Sequence, residues 1–514
     1  MVSNNILMNK IDNFLNKITM YRVVLYSLVI LLLYAFCLSI FGLLSFQPYA
    51  LIYSTTIIVC LSYITHYVFS KVFAIDTNYE STLITSLILA LIVSPPHIGE
   101  YMSVLPILFW TSIWSVAVKY IFSIRGKHLW NPVAFSVALT ALTIHSSASW
   151  WVGTTYLFPL VLILGFMIVR KVRRYDVIFS FFIFSILMMY VGSIGRVDVL
   201  SFLKQVFLDS PYVFFATFML TEPITMPPSM KKRVIYGFIT GMIYPPFIHL
   251  YNIYSTPELA LCIGNVFSWI MSDKKRYILT LERNSKIARD TGEFVFSSDK
   301  KIRYEPGQYM EFTLRHDGVD SRGNRRYFTI SSSPTEDEIA IGIKFDKNHS
   351  SSFKKALAEM EIGQDIYAGQ IAGDFILPKN KKEKLCFIAG GIGVTPFRSM
   401  IAYIADKGEE RDVILVYCAK RIEELAYTNL FHRASVTFGL KAVSTLTDLD
   451  HVPEDWTGYK GFIDAGLILT EVPDYNERIF YISGPHSLVE ASKKMLLEIG
   501  VKENRIKTDY FPGF

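Results

Sequence analysis

The sequence predicts a polytopic α-helical domain of about ten membrane spans, followed by an antiparallel β-barrel and a doubly wound α/β domain. Three observations carry this. Positions 1–272 hold only 25 charged residues against 71 in positions 273–514, so the chain changes solvent class near Asp273. The first part is built of apolar runs near the length at which a helix satisfies its own backbone in lipid. The second part alternates short β-branched and aromatic runs with turn residues, then switches to strand, glycine turn, helix and strand. The expected boundaries are 1–272, 273–380 and 381–514.

The apolar runs taken in order give spans at 22–45, 49–70, 80–94, 102–121, 129–145, 152–169, 176–194, 207–221, 234–250 and 256–272. The third and eighth are short. Lys and Arg near span ends fall on alternate loops, as the positive-inside rule requires. Lys10, Lys17 and Arg22 precede the first span; Lys71, Lys119, Arg125, Lys127, Arg170, Lys171, Arg173, Arg174, Lys231, Lys232, Arg233, Lys274, Lys275 and Arg276 follow the even-numbered ones. The intervening loops carry Arg196 and Lys204. This places the chain as a multi-pass protein of the cytoplasmic (inner) membrane, partnered by bilayer lipid, with both termini in the cytoplasm. The opening MVSNNILMNKIDNFLNK lacks the pattern of a cleaved signal peptide.

Composition also excludes classes. The net charge of +6 comes from the apolar part, whereas a nucleic-acid binder would concentrate positive charge on its soluble part. Cys37, Cys60, Cys262, Cys386 and Cys418 show no CxxC spacing, so no zinc site, disulfide framework or four-cysteine iron–sulfur cluster is encoded. No metal site is expected.

From Tyr277 the words RYILTLERNSKI, EFVFSS, PGQYMEFTL, RRYFTISSSP and EIAIGIKF read as strands at barrel spacing. Arg326, Phe328 and Thr329 set a guanidinium, a planar ring and a hydroxyl in one strand. Together they supply a diphosphate partner, a face for a flavin to stack on, and a hydrogen bond to the ring nitrogen that handles hydride. A plain basic, aromatic strand is the alternative. In NHSSSFKKAL, Ser350, Ser351 and Ser352 mark a helix start suited to a phosphate, although such caps are commonplace. Gly390, Gly391 and Gly393 end an apolar strand and let backbone amides approach a diphosphate, and Thr395 and Pro396 open the next helix. FYISGPHSLVE puts Ser483, Gly484 and Pro485 after another apolar strand, where a nicotinamide would lie against a flavin.

In their order, PGQY, R-x-aromatic-Thr with SSSP, AGDF, GGIGVTP, GFID, SGP and the closing YFPGF resemble the ferredoxin-NADP reductase superfamily over residues 275–514. The resemblance implies FAD in the barrel, with Arg326 on the diphosphate, Phe328 against the ring and Thr329 near its reactive nitrogen. Ser351, Ser352 and the stretch from Gly369 to Gly373 would shape the phosphate side. NAD(P)H would lie on Gly390 to Pro396 and Ser483 to Pro485, with Thr329, Ser483 and Phe514 nearest the hydride. Two positions depart from the family pattern: Phe328 stands where Tyr is usual, and Ser483 where many members have Cys. Lys420 and Arg421 stand where a 2′-phosphate would be met, but Glu423 and Glu424 beside them lean the reading toward NADH over NADPH.

In the first part His66, Glu80, His128, Asn131, His145, Glu222, Thr225, His249, Glu258 and Asn265 lie at span ends or inside apolar stretches. Ionisable groups at membrane depth are costly, so each is a functional candidate beside the plainer reading of a cap or headgroup-level residue. YESTLITSLILALIVSPP, RGKHLWNPVAF, SWWVG, FFATFMLTEPITMPPS and ELALCIGNVFS resemble, in order, the NqrB/RnfD family of membrane proteins, found in the sodium-pumping NADH:quinone reductase and in the Rnf complex. That resemblance implies a membrane domain handling a flavin or quinone. The family attaches FMN to the last Thr of a Ser-Gly-Ala-Thr segment; here Ser146-Ser147-Ala148-Ser149 lacks both the glycine and the threonine.

The function expected is a membrane-bound, NAD(P)H-dependent flavoprotein oxidoreductase. It passes electrons from NAD(P)H through FAD to a membrane acceptor, a quinone or a second flavin such as FMN, near His128, Asn131, Glu222 and Thr225, with electron-transfer partner subunits as further candidates. One alternative is a haem-containing ferric reductase or NADPH oxidase type, which needs two in-helix histidine pairs that His66, His128, His145 and His249 do not form. Another is a non-redox carrier with a nucleotide-sensing domain, against which the intact GGIGVTP and SGP words weigh.

Overall fold

The computed structural model describes residues 11–12, 14–15, 18–73, 79–124, 127–194, 197–272, 275–320, 323–346 and 350–511. The chain divides into two compact units, Met1–Ser272 and Asp273–Phe514.

The first unit is helical: α1 Met20–Ile40, α2 Pro48–Phe73, α3 Tyr79–Ile92, α4 Leu105–Ile121, α5 Pro132–Ile144, α6 Phe158–Val172, α7 Tyr175–Ser193, α8 Val199–Phe207, α9 Tyr212–Phe214, α10 Met230–Ile243 and α11 Pro257–Met271. Helix α9 runs on as a π-helical stretch, Phe215–Met219, and is bent 55° from α8. The expectation of about ten spans is corrected here. Among the described residues three helices, α1, α2 and α7, are long and apolar enough to cross a membrane, or four if the bent pair counts as one. The apolar runs are ten, but several include loop residues, because prolines start the helices late. Pro106, Pro132, Pro159 and Pro257 lie at the first or second position of α4, α5, α6 and α11, where a missing N–H costs nothing. A 14-residue helix such as α3 reaches about 21 Å, well short of a hydrocarbon core of about 30 Å.

Helix α3 ends against another segment rather than at a surface. Trp150 N donates to Ile92 O at 2.8 Å, Val152 N to Leu91 O at 3.2 Å, and the Trp151 indole to Ala90 O at 2.9 Å. Helices α7 and α10 pack closely because a Cβ on Gly237 would lie 2.6 Å from Val177 O. A buried pair, Arg233 Nε to Asp176 Oδ2 at 2.6 Å, joins the same helices.

The second unit opens with a six-stranded antiparallel barrel: β1 Arg276–Ala288, β2 Thr291–Ser298, β3 Tyr309–Thr313, β4 Arg325–Thr329, β5 Ile339–Lys344 and β6 Asp365–Ala372, in the order β4-β3-β6-β1-β2-β5. Period-2 alternation builds its core, with Tyr277, Leu279 and Leu281 buried on β1. Beside it lies a short helix, α12 Ser352–Ala358. A six-stranded parallel sheet follows: β7 Leu385–Gly390, β8 Val413–Ala419, β9 Lys441–Leu446, β10 Tyr459–Lys460, β11 Ile479–Pro485 and β12 Ile506–Phe511, ordered β10-β9-β8-β7-β11-β12. Its helices are α13 Thr395–Asp406, α14 Thr428–Phe438, α15 Ala465–Glu471 and α16 His486–Glu498. Every residue of β7 and β8 is buried, as expected of parallel strands covered on both faces.

Candidate functional site

The two glycine words of the parallel sheet meet backbone to backbone. Strands β7 and β11 are neighbours, with Ala389 paired to Ser483, so their C-terminal ends deliver Gly390–Gly393 and Ser483–Pro485 to one place. A Cβ on Gly393 would lie 2.5 Å from both Ser483 O and Gly484 Cα, a space no side chain can share. Gly391 serves differently: nothing lies within 4 Å of its Cβ position, but its φ of +52° is left-handed. A one-turn 3-10 segment, Gly391–Val394, leads into α13, which opens on Thr395 and Pro396. The Ser483 side chain is fully buried, and its Oγ has no hydrogen-bond partner among the described residues. A crevice outside the carboxyl ends of parallel strands, with a buried hydroxyl still to be satisfied, is where an open α/β sheet takes its ligand.

On the barrel, alternation along β4 puts Arg326 and Phe328 on one side and Tyr327 and Thr329 on the other. The Phe328 ring stands 5.8 Å from those of Phe312 and Phe353, and the Arg326 guanidinium lies 5.6 Å over Phe353. Phe353 belongs to α12, whose cap Ser351 accepts from Lys354 N at 3.3 Å. Arg326, Phe328 and the serine run are thus brought together. Thr329 is buried on the other side, paired with Tyr309. Gly373 has a φ of +120°, a Cβ there would lie 3.2 Å from the Tyr309 ring, and Gln308 donates to its carbonyl, joining the PGQY and AGDF words. Gly369, in β6, pairs with Glu311 of β3. Phe514 lies outside the described residues.

Several contacts carry no motif signature. Asp320 and Ser352 exchange two hydrogen bonds, and Asp320 also faces Arg326. Arg398 donates to Ser331 O at 3.1 Å and pairs with Glu336. Burial works against the Arg398 charge, but Glu336 outweighs it and raises the guanidinium's pKa above its ordinary value. Ser399 donates to Ser332 O and Tyr304 to the same carbonyl, so the SSSP run is a structural joint between barrel and sheet. At the sheet's edge Arg421 Nε lies 2.7 Å from Asp448 Oδ2, and His451 Nδ1 lies 3.0 Å from the other oxygen. Hydrogen bonds from His451 and Arg421 hold the Asp448 carboxyl below its usual range.

In the first unit, Glu222 Oε2 accepts from Asn131 Nδ2 and Thr225 Oγ1, each at 2.9 Å. Asn131 Oδ1 caps α5 at Ala134 N, and its own N donates to Asn265 Oδ1 at 2.8 Å. Asn265 Nδ2 donates to Tyr236 Oη at 3.1 Å. Asn131, Glu222 and Thr225 therefore form one network, while His128 sits in a two-residue ribbon strand, Lys127–His128, ahead of α5. Glu258 lies elsewhere, accepting from the Trp150 indole at 2.9 Å.

Residues 387–494 match the family described as Oxidoreductase NAD-binding domain. The second unit is a flavin and pyridine-nucleotide oxidoreductase unit. A stachydrine N-demethylase reductase subunit of Rhizobium meliloti is 27% identical over 223 residues, which is 43% of this chain and 62% of that protein. A glycine betaine monooxygenase reductase subunit of Chromohalobacter salexigens is 26% identical over 41% of this chain and 57% of its own length. The chain thus spans about three-fifths of these relatives. Among solved structures, the FAD/NAD-binding domain of a nitric oxide dioxygenase from Vibrio cholerae is similar, at 18% identity over 46% of this chain and 98% of that one, with a TM-score of 0.41.

Proposed function

We propose that the chain is a membrane flavoprotein that takes hydride from NAD(P)H onto FAD in residues 273–514 and passes electrons to an acceptor held by residues 1–272. The observation that carries the reductase half is the meeting of Gly390–Gly393 with Ser483–Pro485 at adjacent parallel strand ends. FAD, when bound, accepts a hydride and releases electrons singly. Arg326 and the Ser351–Ser352 turn would hold its diphosphate, with Phe328 beside the ring and Thr329 at the strand end. Backbone amides from Gly391 to Thr395 would hold the dinucleotide's diphosphate, and the buried Ser483 hydroxyl would orient the nicotinamide. Phe514 would shield the flavin face until the nicotinamide takes its place.

Membrane location rests on α1, α2 and α7, and the cytoplasmic placement of both termini rests on the bent pair α8–α9 counting as a fourth crossing, with Lys10, Lys17 and Arg22 marking the cytoplasmic side ahead of α1. For the acceptor, a quinone or a second flavin, the support is the Asn131–Glu222–Thr225 network in an apolar unit and the resemblance to the NqrB/RnfD family. A second reading is delivery to a separate oxygenase, since two relatives are named as reductase subunits of a demethylase and a monooxygenase. Liposomes decide between them. Wild type should reduce both a soluble dye and a quinone with NADH, while Asn131→Leu with Glu222→Gln keeps dye reduction and loses at least about tenfold in quinone reduction. Equal quinone rates would remove the network from the electron path. A purified chain without flavin absorbance would sink the reductase reading.

A further inference from the structure

The groups proposed to hold the FAD diphosphate are already engaged by a carboxylate of the same chain. Ser352 N donates to Asp320 Oδ2 at 3.0 Å, and Asp320 N donates back to Ser352 Oγ at 3.0 Å. The second carboxylate oxygen, Oδ1, stands 3.5 Å from Arg326 Nη2. His316 Nε2 lies 3.0 Å from Ser352 Oγ, so the loop is held on the same hydroxyl from a second point. The other guanidinium nitrogen, Nη1, donates to Gly323 O and Arg325 O, which turns the Arg326 head toward this loop. The side chains are largely shielded, Asp320 at 25% and Arg326 at 12% exposure, so the contact is not an idle surface pair.

An amide has one hydrogen. Ser352 N–H shared between a carboxylate and a phosphate oxygen would bond each more weakly than it bonds one alone, and a diphosphate seated on Arg326 would bring like charge against Asp320. The geometry points to Asp320 as an internal anion that competes with the FAD diphosphate for Arg326 and Ser352. Resting on the flavin reading, this makes FAD binding a displacement: the 314–320 loop gives up two hydrogen bonds and an ion pair as the phosphates take over. The chain then holds its flavin less tightly than the donor set allows, and the competition falls on phosphate-bearing flavins alone.

The test is flavin titration of the deflavinated full-length chain by fluorescence quenching, with FAD and with riboflavin, which carries no phosphate. Asp320→Asn keeps the loop's shape but removes its charge, and should tighten FAD about tenfold while leaving riboflavin unchanged. In Asp320→Asn with Arg326→Ala the gain should shrink, because half of what Asp320 competes for is gone. Unchanged or weaker FAD binding in Asp320→Asn, with Arg326→Ala still weakened, overturns the competition and leaves the flavin site standing. An equal gain for riboflavin also overturns it. Wild-type chain that binds no FAD, or Arg326→Ala that binds it as well as wild type, overturns the flavin reading and this inference with it.

Discussion

Gly393→Ala is the sharpest perturbation of the nucleotide crevice. The new methyl would stand 2.5 Å from Ser483 O and Gly484 Cα, where ordinary contact begins at 3.4 Å, so the two strand ends must part by about 0.9 Å. Both contacted atoms are backbone in a buried, hydrogen-bonded sheet, so no rotamer change relieves the clash. A parting of about 1 Å at a site that aligns two rings for hydride transfer costs roughly a hundredfold in rate, and overpacking of this kind costs about 1–3 kcal/mol in stability. The assay is NADH oxidation with a soluble dye, alongside bound FAD per chain. The expected result is kcat/KM for NADH down about a hundredfold with FAD content retained. Gly391→Ala is the control, since its Cβ meets open space and only the φ of +52° is strained, at about 1–2 kcal/mol. If Gly393→Ala oxidises NADH as wild type does, the two glycine words do not frame the nicotinamide.

Asp448→Asn should release Arg421 from its carboxylate and raise kcat/KM for NADPH about tenfold, roughly 1.4 kcal/mol, with NADH little changed; an unmoved NADH-to-NADPH ratio would place the 2′-phosphate side elsewhere. Arg478→Met should cost about 3 kcal/mol by pulse proteolysis of the full chain, because this buried guanidinium binds Asp412 and Asp474 and donates to Leu385 O. Burial pushes Asp474 up, but bonds from Arg478 and Lys384 outweigh it and leave its carboxyl below the usual range. With the folded value depressed, that stabilisation is complete above about pH 4 and fades as pH falls through the lower folded value, so wild type and Arg478→Met should converge in acid.

The reductase half was legible because its chemistry sits in contiguous words. GGIGVTP and SGP each end a strand, and parallel pairing of β7 with β11 brings them together. Asp320, His316 and Arg398 left no such trace, since each acts through a tertiary contact between residues 32 to 67 positions apart. The apolar half misled in a different way. Hydropathy counts the residues that enter and leave a helix along with the helix, so the run at 152–169 reads as a span although α6 begins at Phe158. Asn131 and Glu222 could be picked out as costly polar groups, but a sequence carries no sign that the two would share a hydrogen bond.

The crossing at the end of α3 has a consequence for how the first unit comes apart. Trp150 and Val152 spend their amides on the last turn of α3, and the intervening chain, residues 93–149, must be in place before that crossing can form. Neither partner can fray alone, because each release strands the other's polar groups in an apolar interior at a cost of several kcal/mol. Under native-state hydrogen exchange the amides of Trp150 and Val152 should therefore become exposed in step with those of Leu89 to Ile92, as one cooperative block, although nearly sixty residues separate them along the chain.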